Sequence, residues 1–305
     1  MQKTSAVLLI FLASCISFLS SAQNKTIAFV SDTQKPMWIE DVFLKSNQNE
    51  KATSLIFQSM IEKKPTAIYI LGDVVSLGYK EKKWKKLDQY LEQCRVKGIE
   101  VNALLGNHDV MTKPKKGEQT FQKRFPNHQR LGYVSVTDSI AIVLLNSNFK
   151  KLTSTEVAAQ NQWLEKTLTA LDHDDSILMV IVSCHHSPYT NSKIVRSSKE
   201  VHDNFVPPYL ESKKSTLFLT GHSHNFEHFK KQGKDFMVIG GGGGIHQPTR
   251  PSTPSMDDMA KNYKPMFHYL LMERVGSNIL MHSYFLSSDF KEFNVGYTVE
   301  LSAKK

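Results

Sequence analysis

The 305-residue chain is short of cysteine, of acidic charge and of long apolar runs, and each shortage excludes something. Its three cysteines, Cys15, Cys94 and Cys184, form no Cys-x-x-Cys pair, which argues against a thiolate zinc site and a disulfide-stapled scaffold. Cys94 falls in a helical pattern and Cys184 in a strand pattern, and their spacing leaves a bridge between them open. The apolar stretch over residues 6–19 is dotted with serines and falls short of the ~20 residues of a spanning helix, so no membrane span is expected. It follows Lys3 and precedes Ser20-Ser21-Ala22, so residues 1–22 read as a signal peptide and predict an exported protein, periplasmic or secreted. Leu12-Ala13-Ser14-Cys15 resembles a lipoprotein box and offers the alternative of anchoring at Cys15. Acidic residues number 29 against 38 basic ones, a formal charge of +9 that favours anionic partners by long-range steering. No repeat, low-complexity tract or clear linker divides residues 23–305, which read as one domain.

What is present is a series of strand-like runs that end in metal-ligating or acid–base residues. Residues 26–30 stop at Ser31-Asp32-Thr33-Gln34, and residues 67–71 at Gly72-Asp73. Residues 99–105 lead into Gly106-Asn107-His108-Asp109. The strongest apolar run, 176–182, delivers Cys184-His185-His186, and 216–220 leads into Gly221-His222-Ser223-His224. Helical spacing over about 49–63, 82–97 and 155–171 separates several of these runs, and a short helix is expected over 118–125. Nearly continuous apolar strands alternating with helices predict an α/β fold with a sheet buried on both faces and at least partly parallel. Ligands of such sheets bind beyond the strand ends, where every one of these polar groups falls. Residues 187–212 read as a polar insertion, and the glycines 240–244 as a flexible turn beside the site, since they lack the spacing of a nucleotide-binding loop. Strands are expected in the C-terminal third over 236–239, 267–274, 279–285 and 297–301.

Two carboxylates, two amides and four imidazoles, from Asp32, Gln34, Asp73, Asn107, His108, His185, His222 and His224, form a mixed oxygen and nitrogen set suited to borderline divalent metals. It exceeds the needs of one four-coordinate zinc and suits two ions ~3.5–4 Å apart. Each residue alone has a plain structural alternative; five such motifs in order do not. The lysines at 80, 82, 83, 85 and 86 read as one solvated helix face. Aromatic residues are not interleaved with the basic ones, so no stable nucleic-acid partner is expected and a nuclease is the weaker reading.

The ordered motifs Asp32-x-Gln34, Gly72-Asp73, Gly106-Asn107-His108-Asp109, His185 and Gly221-His222-x-His224 resemble those of the calcineurin-like metallophosphoesterases. Gly221-His222-Ser223-His224-Asn225-Phe226-Glu227 is most similar to the purple-acid-phosphatase branch and its bacterial relatives. The resemblance implies a four-layer α/β/β/α sandwich and two divalent ions (Mn, Fe or Zn) bridged by Asp73. The first would be held by Asp32, His224 and Gln34, and the second by Asn107, His185 and His222, with His186 the alternative to His185. It implies hydrolysis of a small anionic phosphate mono- or diester by a hydroxide held between the metals. His108 would assist the leaving oxygen, and Asp109 would support the loop or orient that histidine. Two positions depart from the family: Gln34 replaces the usual histidine, and Ser76 stands where the purple enzymes carry a tyrosine. These predict a colourless protein with a loosely held first metal. The rival reading is a non-catalytic binding protein on a decayed phosphoesterase fold.

Overall fold

Strand alternation sets the layering. In β1 (Thr26–Val30), Ile27 and Phe29 project to one side and Ala28 and Val30 to the other, and all four are buried. A strand covered on both faces needs a layer above and a layer below. The computed structural model describes residues 25–42, 44–249 and 256–303, and the signal segment and Cys15 lie outside these. β1 pairs in parallel with β2 (Ala67–Ile70), and β2 with β3 (Glu100–Ala103). α1 (Asn49–Glu62) and α2 (Lys85–Val96) connect these strands. On its other edge β1 pairs antiparallel with β10 (His268–Val275), which continues into β11 (Asn278–Leu286) and β12 (Phe293–Ser302). The first sheet therefore runs β12-β11-β10-β1-β2-β3.

The second sheet begins with the hairpin of β4 (Gly132–Thr137) and β5 (Ile140–Leu145), turning at Asp138-Ser139. β5 then pairs in parallel with β6 (Met179–Ser183), and β6 with β7 (Ser215–Thr220). β7 pairs in parallel with β9 (Lys234–Ile239), which carries β8 (Phe226–Lys231) antiparallel on the edge. Phe29 and Leu71 of the first sheet meet Ile142, Ile181 and Leu217 of the second in a dry inter-sheet core. Outside the first sheet, Ile56, Phe57 and Leu91 of α1 and α2 cover Ala28 and Ile68. Outside the second, Leu164 of α4 (Ser154–His173) and Phe205 of α5 (Lys199–Glu211) cover Val143 and Val182. This is the α/β/β/α sandwich that the motif resemblance implied. Cys94 lies in the outer core of the first sheet and Cys184 in that of the second, both as free thiols.

Three differences from the sequence reading have physical causes. The segment 187–212 contains α5, whose Pro207 and Pro208 signal a break. The helix persists because Val201, Phe205, Val206 and Tyr209 bury one face against the sheet. β8 was not expected; its partner signal is Gln232-Gly233, both at positive φ, the two-residue turn that closes an antiparallel hairpin. The short helix expected over 118–125 starts earlier, as α3 (Pro114–Gln122), because Pro114 supplies a preset first turn.

Candidate metal centre

The parallel strands β1, β2, β3, β6 and β7 direct their C-terminal ends to one edge, and the predicted residues meet there. Three of them sit in the left-handed backbone region: Asp32 (φ 60°), Asp73 (φ 49°) and His222 (φ 67°). Non-glycine residues adopt that conformation at a cost of ~1–3 kcal/mol each when the surroundings enforce it. Here it turns side chains off the strand direction and into a common point. The ligand atoms of Asp32, Asp73 and His224 lie within 4.8 Å of one another, and those of His185, His186 and His222 do likewise. Close approach is made possible by glycine: a Cβ on Gly106 would lie 2.2 Å from Asp73 Oδ1, and one on Gly221 2.4 Å from Asp32 Oδ2.

Second contacts fix which nitrogen of each imidazole faces the centre. His185 Nδ1 donates to the Leu71 carbonyl (3.0 Å), so its Nε2 faces Asp73 Oδ2 at 3.3 Å and Asn107 Oδ1 at 3.1 Å. His224 Nδ1 donates to the Ile245 carbonyl (2.8 Å), so its Nε2 faces Asp32 Oδ1 at 3.3 Å. A neutral imidazole so oriented turns a lone pair toward carboxylate or amide oxygen. Such an arrangement is repulsive until a cation, a proton or a metal ion, stands between the two. Asp32 Oδ1 has no hydrogen-bond donor although the residue is fully buried. Buried anionic oxygens with in-facing imidazole nitrogens fit a divalent ion better than any protein donor present.

The electrostatics agree. Burial opposes the charge on His185, but the Asp73 carboxylate prevails and pushes it up to about 9. His224 is likewise raised, against burial, by Asp32. Burial alone would raise Asp73, yet His185 and His108 hold it far below the usual carboxylate range. His222 is pushed well down and His186 down to about 3, by burial and by neighbouring histidines. Neutral imidazoles of this kind are the form in which histidine ligates.

Gln34 and Asn107 complete the oxygen donors. The Gln34 amide satisfies both ends in one orientation, with Nε2 donating to the carbonyls of Asp32 (3.1 Å) and Asp73 (2.9 Å). The other arm of the amide, then its oxygen, lies 3.3 Å from His224 Nε2. His108 donates its backbone N–H to Asp73 Oδ1 (2.8 Å), and its Nδ1 contacts the Ser76 carbonyl (3.3 Å) while Nε2 lies 3.8 Å from Asp73 Oδ2. Asp109 does only one of the two things expected of it. Its carboxylate accepts from the backbone N–H groups of Gly106 (2.9 Å), Val74 (3.1 Å) and Val75 (3.2 Å), and no hydrogen bond joins it to the His108 ring. The group that orients His108 is Ser76, through a backbone carbonyl that no side-chain pattern advertises.

The sequence left His185 and His186 as alternatives, whereas the structure brings both to the centre. His186 Nδ1 meets Ser147 Oγ at 2.8 Å, leaving Nε2 free, and its ring stands 4.5 Å from that of His222. The glycine run is rigid rather than flexible: Gly242 and Gly244 donate to the carbonyls of Ser31 (2.9 Å) and Asp32 (2.8 Å), and a Cβ on Gly244 would strike the His224 ring. Those amides approach the protein's own β1 loop, not a ligand. Glu227, buried at the end of the last motif, accepts from Thr190 Oγ1 (2.6 Å) and Asn191 N–H (2.7 Å) and so ties down the segment after β6. No helix among the described residues is long and apolar enough to cross a membrane.

A family model described as calcineurin-like phosphoesterase matches residues 25–226. No curated protein matches the chain by sequence. Among solved structures, the chain is similar to the purple acid phosphatase PPD1 of yellow lupin (Lupinus luteus) seeds, with 16% identity and a TM-score of 0.66 over 92% of this chain and 54% of that one. It thus spans about half the length of the lupin protein. It is also similar to GAP50, the anchor in the inner membrane complex of Plasmodium, with 17% identity and a TM-score of 0.66 over 92% of this chain and 90% of that one. A dimetal phosphatase from Danio rerio gives 12% identity and a TM-score of 0.57, covering 92% and 99%. At these identities the likeness to solved structures concerns the fold.

Proposed function

The chain belongs to the calcineurin-like phosphoesterase family, and on that footing we propose that it is a dinuclear-metal hydrolase of phosphate mono- or diesters. The observation that carries this reading is the pair of in-facing imidazole–oxygen contacts, His185 against Asp73 and Asn107 and His224 against Asp32, which are stable only around cations. Asp32, Gln34, Asp73 and His224 would hold one ion, and Asp73, Asn107, His185 and His222 the other. Two bound divalent ions supply Lewis-acid activation of water and charge neutralisation at the phosphoryl oxygens.

The remaining chemistry belongs to the chain. Asp73, buried between the two donor groups, keeps its charge because histidines surround it. With His108 Nδ1–H held by the Ser76 carbonyl, a proton on Nε2 is the one available to a leaving oxygen, and its departure leaves a neutral ring already hydrogen-bonded. Burial of Asp32, Gln34, Asp73, His185 and His224 strengthens their interactions, while Asn107 and His222 are half-buried at the cavity. We also propose export, on the composition of residues 1–22 alone, which cell fractionation checks.

Metal analysis of the purified protein, paired with hydrolysis of p-nitrophenyl phosphate and bis(p-nitrophenyl) phosphate under added manganese, zinc or iron, tests the reading. About two ions per chain and turnover of at least one ester are expected, with both lost together in a folded Asp73→Ala variant. A wild-type protein that retains the ions yet turns over neither ester is a binding protein on a decayed phosphoesterase fold, and the proposal fails.

A further inference from the structure

From the second donor group opens a cavity of about 360 Å³ that extends past the proposed ligands. Asn107, His186 and His222 line it together with Phe149, Lys150 and Lys151. A phosphoryl group at the metals would leave most of this space empty, since small-molecule sites of ~300 Å³ and above hold far larger ligands.

The lysine-bearing side is built rather than incidental. It is the short turn Phe149–Lys151 just beyond β5, one more strand end at the functional edge. Buried amides fix it: Asn148 Nδ2 donates to the Leu105 carbonyl (3.0 Å), immediately before Gly106-Asn107. Asn148 N–H donates to Asn146 Oδ1 (3.0 Å), and Gln160 Nε2 to the Asn146 carbonyl (3.1 Å). Phe149 packs on Phe205 of α5, with ring centroids 5.2 Å apart. The turn is thus tied to the same loop that carries Asn107 and His108. Lys150 and Lys151 are exposed, and their ammonium groups pair with no carboxylate among the described residues. Ser147 anchors His186, which lines the same cavity, by accepting from its backbone N–H (3.0 Å) and meeting Nδ1. One carboxylate, Glu200, also lines it and accepts from Ser198 Oγ.

Two unpaired ammonium groups held on a rigid turn, in one cavity with the metal-ligating Asn107 and His222, suit a second dianionic group on the substrate. Resting on the phosphoesterase reading, we propose that the preferred substrate is a bisphosphorylated small molecule. One phosphoryl group is hydrolysed at the metal centre while the other is held by Lys150 and Lys151. In that step water adds to phosphorus, the phosphorus–oxygen ester bond breaks, and one proton passes to the leaving alkoxide, giving orthophosphate and a monophosphorylated alcohol. The retained phosphoryl group stays on the lysines and does not react. Glu200 faces the body of the ligand, where its carboxylate accepts from a hydroxyl and disfavours a third anion.

Fructose 1,6-bisphosphate and fructose 6-phosphate are the probes, each followed by phosphate release and, independently, by displacement of a fluorescent phosphate analogue from the metal-loaded protein. The wild type is expected to favour the bisphosphate by about tenfold in both measurements, an advantage that shrinks as salt rises. Lys150→Ala/Lys151→Ala should raise KM for the bisphosphate to that of the monophosphate, leave kcat near wild type, and leave the monophosphate unaffected. Glu200→Gln should tighten bisphosphate binding. Turnover with no preference between the probes, or a double variant that weakens both equally, overturns the subsite and leaves the phosphoesterase reading intact. Lysine-dependent bisphosphate binding with no turnover of any ester supports the subsite and overturns the catalytic reading instead.

Discussion

Asp109→Ala tests how the centre is held together. Asp109 is fully buried, and its carboxylate bridges the loop after β3, through Gly106 N–H, to the loop after β2, through the N–H groups of Val74 and Val75. Those two loops carry Asp73, Asn107 and His108. Removing the carboxylate orphans three buried donors, each costing ~1–3 kcal/mol when unsatisfied, and water entering the small void would recover part of that. A net loss of roughly 3–5 kcal/mol follows, and for a chain of this size that lowers Tm by about 10 °C. Because the ligands themselves are untouched, metal affinity should fall ~10–100-fold, the usual effect of removing a supporting hydrogen bond. Burial and the nearby Asp73 charge raise Asp109 to about 7, so the amide of Asp109→Asn mimics its protonated form and should cost less on both scales. Thermal unfolding and competitive chelation read the two effects separately. Since no contact joins Asp109 to the His108 ring, the shape of the pH–rate profile should survive in whatever fraction retains metal. A variant with unchanged Tm and unchanged metal affinity refutes the bridging role; a profile reshaped at full metal occupancy reinstates Asp109 as the orienting group for His108.

Other consequences are checked more briefly. His108→Ala should retain its metals and lose ~10²–10⁴-fold in turnover, the usual contribution of a positioned general acid; normal turnover would remove His108 from the mechanism. Gln34→His, which exchanges an amide oxygen for imidazole next to His224, should tighten the first ion by about tenfold in a chelator competition. The wild type should be colourless when loaded with iron, and an intense visible band would contradict the absence of a tyrosine ligand at Ser76. Chelation should lower the thermal stability of the wild type more than that of Asp73→Ala, and equal losses would separate metal binding from folding. His268 is buried with neither ring nitrogen hydrogen-bonded, and burial with nearby His246 and Lys264 pushes it down to about 3. Its proton is taken up by the unfolded chain from pH 6.5 downward and by the folded one only near 3, so it costs stability progressively as pH falls through that window. His268→Leu should therefore gain roughly 2 kcal/mol on the wild type between pH 7 and pH 5 in urea unfolding, with no gain expected if the ring is hydrated.

The inner strands were legible because burial on both faces writes an unbroken apolar run, and their ends were legible because histidine, aspartate and asparagine stand out after such runs. That is why the run 216–220 anticipates β7, and why the proposed ligands stand out from the sequence. What escaped is backbone-borne or non-local. The Ser76 carbonyl that orients His108 carries no residue signature. The proline pair in α5 masks an apolar face that only the sheet beneath it reveals. The choice between the two roles expected of Asp109, and the presence of both histidines at the centre, depend on contacts across 35 and 39 residues of chain, which no local pattern encodes. Lys150 and Lys151 look like any surface lysines until the turn that bears them is seen tied to Leu105.

On the proposed reading, the same geometry would tie the ions to the fold as well as to the chemistry. Asp32, Asp73 and His222 hold left-handed backbone at ~1–3 kcal/mol apiece, so together they oppose folding by an amount comparable to the ~5–15 kcal/mol net stability of a domain. Glycine at these positions would relieve that cost, but glycine has no ligand atom. Glycine is used instead at the neighbouring positions 72, 106 and 221, where any Cβ would collide with Asp73, Asp32 or His185. At the centre, the strain falls on residues whose side chains turn inward, and space is cleared by the glycines near them. Without a cation, those inward carboxylates and imidazoles add lone-pair repulsion to the strain; with one, both terms are offset by the same bonds. Gly72-Asp73 and Gly221-His222, each a cleared position beside a strained one, therefore suit a centre in which ion binding would offset part of the cost of folding.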